Sequence, residues 1–240
     1  MEKIIFQSAG FTIVGNFFLP QTKNPPGILI LHGAGHSHKE KFLEIQKSVY
    51  EKGHASLAID FTGVGESSGE FTEGSLEVRL QNAADALKEL KKYADPENIS
   101  VLGSSMGGFV GAVLGSENHV KNILLLAPAA YSQDAENKKL NNTFTKEITK
   151  SQSWENSRSF PALKKFNGRV LVLYGENDTK IPQGVQKRYQ EIASKKGEWH
   201  NIVHMGHNLI AAENSQKNEA IHQVISFICD FLTRHRQKAT

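Results

Sequence analysis

The sequence predicts an α/β fold built on a mostly parallel sheet. Two observations carry this reading. Short, continuously apolar runs such as Ile28-Leu29-Ile30-Leu31 and Ile123-Leu124-Leu125-Leu126 are what a strand buried on both faces requires. Between such runs the apolar residues switch to three- and four-residue spacing, as at Leu76, Leu80, Ala83, Ala84, Leu87 and Leu90.

The elements follow in order. Ile4 to Leu19 reads as a β-hairpin around Ser8-Ala9-Gly10, and Pro25-Pro26-Gly27 breaks the chain before the strand Ile28–Leu31. Phe42 to Lys52 has helical spacing and closes at Gly53. Ser56 to Asp60 is a further buried strand, and Leu76 to Tyr93 a long helix stopped by Asp95-Pro96. Ile99–Leu102 is a strand, Met106–Leu114 a helix, and Asn122–Leu126 a strand again. Arg169–Tyr174 and Glu198–His204 are the remaining strands, and a helix from Glu219 to Arg234 ends the fold. The stretch 131–167 breaks the alternation. It is rich in Asn, Ser and Lys with scattered Phe144, Ile148, Trp154 and Phe160, and reads as a short cap or lid inserted into one domain spanning 1–240.

Composition narrows the function. A chain of 240 residues can bury a core without disulfide or metal staples. The formal net charge is only +3, and no basic stripe interleaved with aromatics points to nucleic acid. The basic cluster Arg234-His235-Arg236-Gln237-Lys238 is accounted for by a solvated helix end. The single cysteine, Cys229, lies in an apolar-striped run and is expected to be a buried thiol in a reducing compartment. No segment is apolar for long enough to span a bilayer, and no leader is visible at the start, so a cytoplasmic protein is expected, monomeric or homodimeric.

Chemistry concentrates at Gly103-Ser104-Ser105-Met106-Gly107. A Gly-x-Ser-x-Gly that follows an apolar strand and opens a helix is the context of a nucleophile elbow. The tight turn leaves little room for side chains two residues either side of the serine. Ser104 is the competing hydroxyl, off the motif's centre. Such a nucleophile needs a base to take its proton and an acid to orient the base, with the acid before the histidine in chain order. Asp178 follows the strand ending at Tyr174, and His207 follows the last strand. Glu176 is an alternative acid, and His200 and His204 are alternative bases that read as structural. The order Ser105, Asp178, His207 is the one required, each after the C-terminal end of a strand. A fourth part is the oxyanion hole. Met106 N–H, directly after the nucleophile, is one expected donor; Ala34, in Leu31-His32-Gly33-Ala34-Gly35, is the other, with Gly35 as alternative.

Two patterns could mislead. His32, His36 and His38 lie close together, but no cysteine or tight carboxylate set joins them, and no metal is expected. Gly63-Val64-Gly65-Glu66-Ser67-Ser68-Gly69 lacks the dinucleotide spacing and opens no helix, so it reads as a rigid loop beside the site.

Taken together, His32-Gly33-Ala34-Gly35, Asp60-Phe61-Thr62-Gly63-Val64-Gly65-Glu66-Ser67, Gly103-Ser104-Ser105-Met106-Gly107-Gly108, Leu125-Leu126-Ala127-Pro128-Ala129-Ala130, Gly175-Glu176-Asn177-Asp178 and Gly206-His207 resemble the α/β-hydrolase superfamily. They are most similar to its serine aminopeptidase S33-like group, which includes bacterial cinnamoyl and feruloyl esterases and monoacylglycerol lipase-like enzymes. The resemblance covers nearly the whole chain. It implies an eight-stranded sheet with the second strand antiparallel, a Ser-Asp-His triad and no cofactor. The expected activity is hydrolysis of small-molecule carboxylic esters of small to medium acyl groups. Thioester or amide cleavage by the same groups is the alternative, and a non-catalytic binding relative is the reading from another class.

Overall fold

The computed structural model describes residues 1–35, 37–210 and 215–234. It contains an eight-stranded sheet in the order β1-β2-β4-β3-β5-β6-β7-β8. β1 (Glu2–Ser8) and β2 (Phe11–Phe18) form the predicted hairpin. Ala9 and Gly10 both have positive φ, 52° and 82°, as a two-residue turn with the twist of a hairpin demands. β2 runs antiparallel to β1 and to β4 (Ala55–Ile59), so the second strand is the one reversed, as the family resemblance implies. β3 (Gly27–Leu31), β5 (Ile99–Ser104), β6 (Asn122–Leu126), β7 (Arg169–Gly175) and β8 (Gly197–Ile202) continue the sheet in parallel.

Burial follows the sequence pattern. Every residue of β3, β4 and β6 is buried, while β8 alternates. The inner strands therefore lie under helices on both faces. Those helices are α1 (Leu43–Glu51), α2 (Leu76–Leu90), α3 (Met106–Glu117), α7 (Gln183–Lys196) and α8 (Ser215–Thr233). The oxygen of Ser75 caps α2 by accepting the Val78 N–H, which sets the start of that helix. α3 is buried along nearly its whole length and is apolar on all sides, as a helix wedged between sheet and neighbouring helices must be.

The structure departs from the sequence reading at α7 and at the end of the last strand. α7 fills a stretch that the periodicity did not flag, because only Val185, Tyr189, Ile192 and Ala193 face the core and the rest is polar, charged or glycine. The stretch 131–167 holds α4 (Gln133–Glu136), α5 (Asn142–Ile148) and α6 (Ser159–Lys165). Phe144 and Phe160 are buried there, Tyr131 meets Phe109 of α3 edge-on, and Phe160 packs on Tyr189 of α7. The last strand ends at Ile202, so His204 lies beyond it, in a turn with φ 63°. Cys229 is buried on α8, and burial pushes its thiol pKa up, as expected of a core residue. Among the described residues no helix is long and apolar enough to cross a membrane. Most of the basic C-terminal cluster lies outside the described residues.

Candidate active site

β5 stops at Ser104 and α3 starts at Met106, leaving Ser105 alone in the turn with φ 52° and ψ −114°. For a residue with a Cβ this is a costly conformation, of order 1–3 kcal/mol, and it persists only when the surroundings over-determine it. They do: the Ser105 N–H donates to Leu126 O at 2.9 Å, and its carbonyl accepts from Gly108, Phe109 and Ala129 N–H groups. The glycines have the steric reason foreseen for them. A Cβ on Gly103 would sit 2.1 Å from Gly107 O, and one on Gly107 would sit 2.3 Å from Leu31 O. Both neighbours are backbone and cannot swing away. Gly103→Ala is therefore expected to cost about 1–3 kcal/mol or more. A thermal melt reads this as a drop of about 2–4 °C per kcal/mol, and an unchanged Tm would refute the packing argument.

The loops after β7 and β8 abut. Asn177 N–H donates to Met205 O at 2.8 Å, and a Cβ on Gly175 would fall 2.1 Å from Gly206 O. This approach brings Asp178 and His207 together. His207 Nδ1 lies 2.9 Å from Asp178 Oδ2, and His207 Nε2 lies 2.9 Å from Ser105 Oγ. A carboxylate only accepts, so Nδ1 carries the proton and Nε2 is left to accept from the serine hydroxyl. The other oxygen of Asp178 accepts from the backbone N–H groups of Lys180 and Ile181 at 2.9 and 3.2 Å. Burial alone would raise the Asp178 pKa. The His207 contact and these two N–H groups outweigh it and hold the carboxyl below its usual value.

The rivals are engaged elsewhere. Glu176 accepts from the His204 N–H, and His200 stacks on Phe227 with ring centroids 4.0 Å apart. Ser104 is beside the site but outside the hydrogen-bonded chain.

Ser105 and His207 open into a cavity of about 350 Å³ lined also by Gly33, Ala34, Lys41 and Lys180. A second cavity of about 530 Å³ adjoins it through Gly35 and Ser37 and reaches Phe71. Gly33 is pressed against Ser105: a Cβ there would come 3.1 Å from Ser105 Cβ. Among the described residues, neither the Ala34 nor the Met106 N–H is given to an acceptor. Both predicted donors are thus unspent beside Ser105. No residue of 131–167 lines this cavity.

The proposed decoys resolve physically. His32 is buried, its Nε2 accepts from Phe61 N–H at 3.1 Å, and its Nδ1 lies 2.6 Å from Gly33 O. His38 pairs with Glu40, and His36 lies outside the described residues. The glycine loop wraps a buried carboxylate, since a Cβ on Gly65 would fall 2.1 Å from Asp60 Oδ2. Glu40, Asp60 and Glu66 converge there, but the buried Lys39 ammonium sits 2.6 to 2.9 Å from all three. Burial would lower the Lys39 pKa, and these hydrogen bonds reverse that and raise it. The network ties the loop after β3 to the loop after β4. Neither it nor the buried Arg79 on α2 was foreseen, because both depend on residues far apart in sequence.

This strand order, with a serine elbow after β5, is that of the α/β-hydrolases. The sequence profile of the serine aminopeptidase S33 family matches residues 23–164. The chain belongs to that family, an enzyme family of hydrolases. A multifunctional-autoprocessing repeats-in-toxin protein of Vibrio cholerae serotype O1 is 37% identical over 98 residues, 39% of this chain. A probable 1-acylglycerol-3-phosphate O-acyltransferase of Oryza sativa subsp. japonica is 32% identical over 117 residues, 48% of this chain. The aligned parts are 2% and 28% of those proteins, so the chain spans only a small share of the curated relatives it matches. The propionate-bound esterase Est2 of Thermogutta terrifontis superposes with a TM-score of 0.74 over 96% of this chain and 93% of its own, at 14% identity. At that identity the likeness establishes the fold alone.

Proposed function

We propose that the protein hydrolyses carboxylic esters of small to medium acyl groups through an acyl-enzyme on Ser105. The observation that carries this reading is the unbroken chain Asp178–His207–Ser105, with both contacts at 2.9 Å, opening into a cavity beside two unspent N–H groups. His207 Nε2 takes the hydroxyl proton as Ser105 Oγ attacks the ester carbonyl. Asp178 holds the imidazole in the right tautomer and stabilises the imidazolium. Ala34 and Met106 N–H groups receive the charge that forms on the carbonyl oxygen. His207 then passes its proton to the leaving alkoxide, and the acyl group stays on Ser105. Water, deprotonated by His207, releases the acid and restores the serine. No step in this cycle calls for a cofactor.

A cavity of about 350 Å³ suits a short acyl chain. The likeness to an esterase with propionate bound favours the same size class. We read 131–167 as a short cap within one domain, docked through Tyr131 and Phe160 on α3 and α7. The buried lone cysteine is compatible with a reducing compartment such as the cytoplasm.

Thioesters and peptides could be cleaved by the same groups, and the family's aminopeptidase description keeps amides in play. A panel of p-nitrophenyl acetate to octanoate, matched acyl-CoA thioesters and an aminoacyl anilide separates the three. The highest kcat/KM is expected for p-nitrophenyl esters of two to six acyl carbons, roughly the chain length such a pocket encloses. A thioester or anilide preferred over every ester would overturn the reading.

A further inference from the structure

α2 places a guanidinium where a carboxylate would be expected to meet it, and none does. Arg79 is 1% exposed, the bulkiest fully buried side chain among the described residues. Among the described residues it has no acidic partner. Its Nε and Nη2 lack any hydrogen-bond acceptor, and its cation lies over the rings of Phe61 and Phe71 at 4.6 and 5.7 Å. Burying a charge without a counter-ion is expensive. Burial lowers the Arg79 pKa to about 10, so the cation persists at neutral pH.

Among the described residues, the one side-chain hydrogen bond Arg79 makes explains where that cost is directed. Nη1 donates to the carbonyl oxygen of Gly33 at 3.1 Å. That carbonyl belongs to the Gly33–Ala34 peptide, whose other end is the Ala34 N–H. Among the described residues there are no cis peptide bonds, so the C=O and N–H of this group point in opposite directions. A second donor reinforces the first. Because His32 Nε2 accepts from Phe61 N–H, its Nδ1 bears the proton and donates to the same Gly33 oxygen at 2.6 Å. Burial keeps the His32 ring neutral, which preserves this tautomer.

We propose that Arg79 is a positioning residue for the oxyanion hole, clamping the Gly33–Ala34 peptide so that its N–H faces the carbonyl oxygen held at Ser105. The inference rests on the reading of Ala34 as an oxyanion donor. Two donors on one carbonyl fix the rotation of the peptide plane. The cationic one also polarises the amide, and hydrogen bonds in such a chain strengthen one another. Pre-set orientation matters because the donor must be in place before charge develops. Arg79 never touches substrate. It acts through one peptide group, from the opposite side of the loop.

Arg79→Met tests this. Methionine fills much of the same volume without charge, and exchanging a buried ion for an apolar side chain is often neutral or stabilising. With the best ester found for the wild type, kcat is expected to fall about ten-fold with KM within two-fold. That is less than the roughly hundred-fold or greater loss when a direct oxyanion donor is removed. Inhibition by a trifluoromethyl ketone, which forms an anionic adduct on the nucleophile, should weaken by the same factor as kcat. Arg79→Lys should recover part of both, since an ammonium can still donate to Gly33. A folded Arg79→Met with wild-type kcat and unchanged ketone inhibition would overturn the proposal. So would parallel losses in Tm and in both kinetic constants, rescued by neither residue, which mark a purely structural arginine. If Arg79→Met does not fold, Arg79→Lys decides alone: a melting temperature like the wild type's with full kcat and full ketone affinity refutes the proposal, and a selective kcat loss supports it. Wild-type protein that neither cleaves esters nor binds the ketone would refute the esterase reading instead.

Discussion

Ser105→Ala is expected to abolish labelling by a fluorophosphonate probe and to lower kcat by roughly a millionfold, the scale seen when the nucleophile of a serine triad is removed. The expectation rests on position as well as identity. Ser105 Oγ is the hydroxyl within 2.9 Å of His207 Nε2, held up by a strained turn whose carbonyl and N–H are all satisfied. Alanine leaves that backbone intact, because a Cβ is already present at this position. The variant should therefore melt close to the wild type, which separates loss of chemistry from loss of fold. Intact-mass analysis after probe treatment gives the readout. An adduct on the alanine variant would move the nucleophile, with Ser104 the first alternative.

The second large effect is expected at Asp178. Asp178→Asn should lower kcat by about ten-thousand-fold, as triad acids generally show when the carboxylate becomes an amide. The side chain keeps its size, yet it can now offer an N–H where His207 Nδ1 needs an acceptor. The imidazole then favours the tautomer with Nε2 protonated, which cannot take the Ser105 proton. Acid stability should change in a defined direction. The carboxyl pKa is lowered in the folded protein, so Asp178 stabilises the fold fully above its unfolded value of about 3.9. That contribution is lost as pH falls through the lower folded value. The stability gap between wild type and variant should thus be constant above about pH 5 and shrink as pH falls below about 4. Urea midpoints from pH 2 to 7 give the comparison, and pre-steady-state kinetics give the rate. Near-normal turnover in Asp178→Asn would transfer the acid's role to Glu176.

Much of this site can be read in the amino-acid order, for reasons specific to each part. The elbow glycines are forced by backbone approaches of 2.1 and 2.3 Å, so the motif is a local steric necessity and visible as such. Asp178 and His207 are singled out as candidates by chain order and strand ends. The family match covers residues 23–164 and contains neither of them. What eluded the sequence was contact between distant loops. Lys39, Asp60 and Glu66 look like scattered surface charges, and Arg79 like one more basic residue on an amphipathic helix. Only folding places one ammonium among three carboxylates, and one guanidinium on a carbonyl beside the nucleophile. α7 was missed because its core face uses four residues in fourteen, too few to stand out from its polar ones.

The order of the strands has a consequence for how long the site survives. Ser105 follows β5, which has a hydrogen-bonded neighbour on each side, whereas His207 follows β8, the last strand, which pairs with β7 alone. The proposed nucleophile and base therefore belong to regions of unequal permanence. Opening of a protein proceeds in cooperative units, and peripheral units open with less free energy than the centre. We expect the β7–β8 seam to part, and so to separate the proposed base from the proposed nucleophile, before the core of the sheet is lost. Amide exchange along β8, followed together with residual activity during mild denaturation, reads that limit directly.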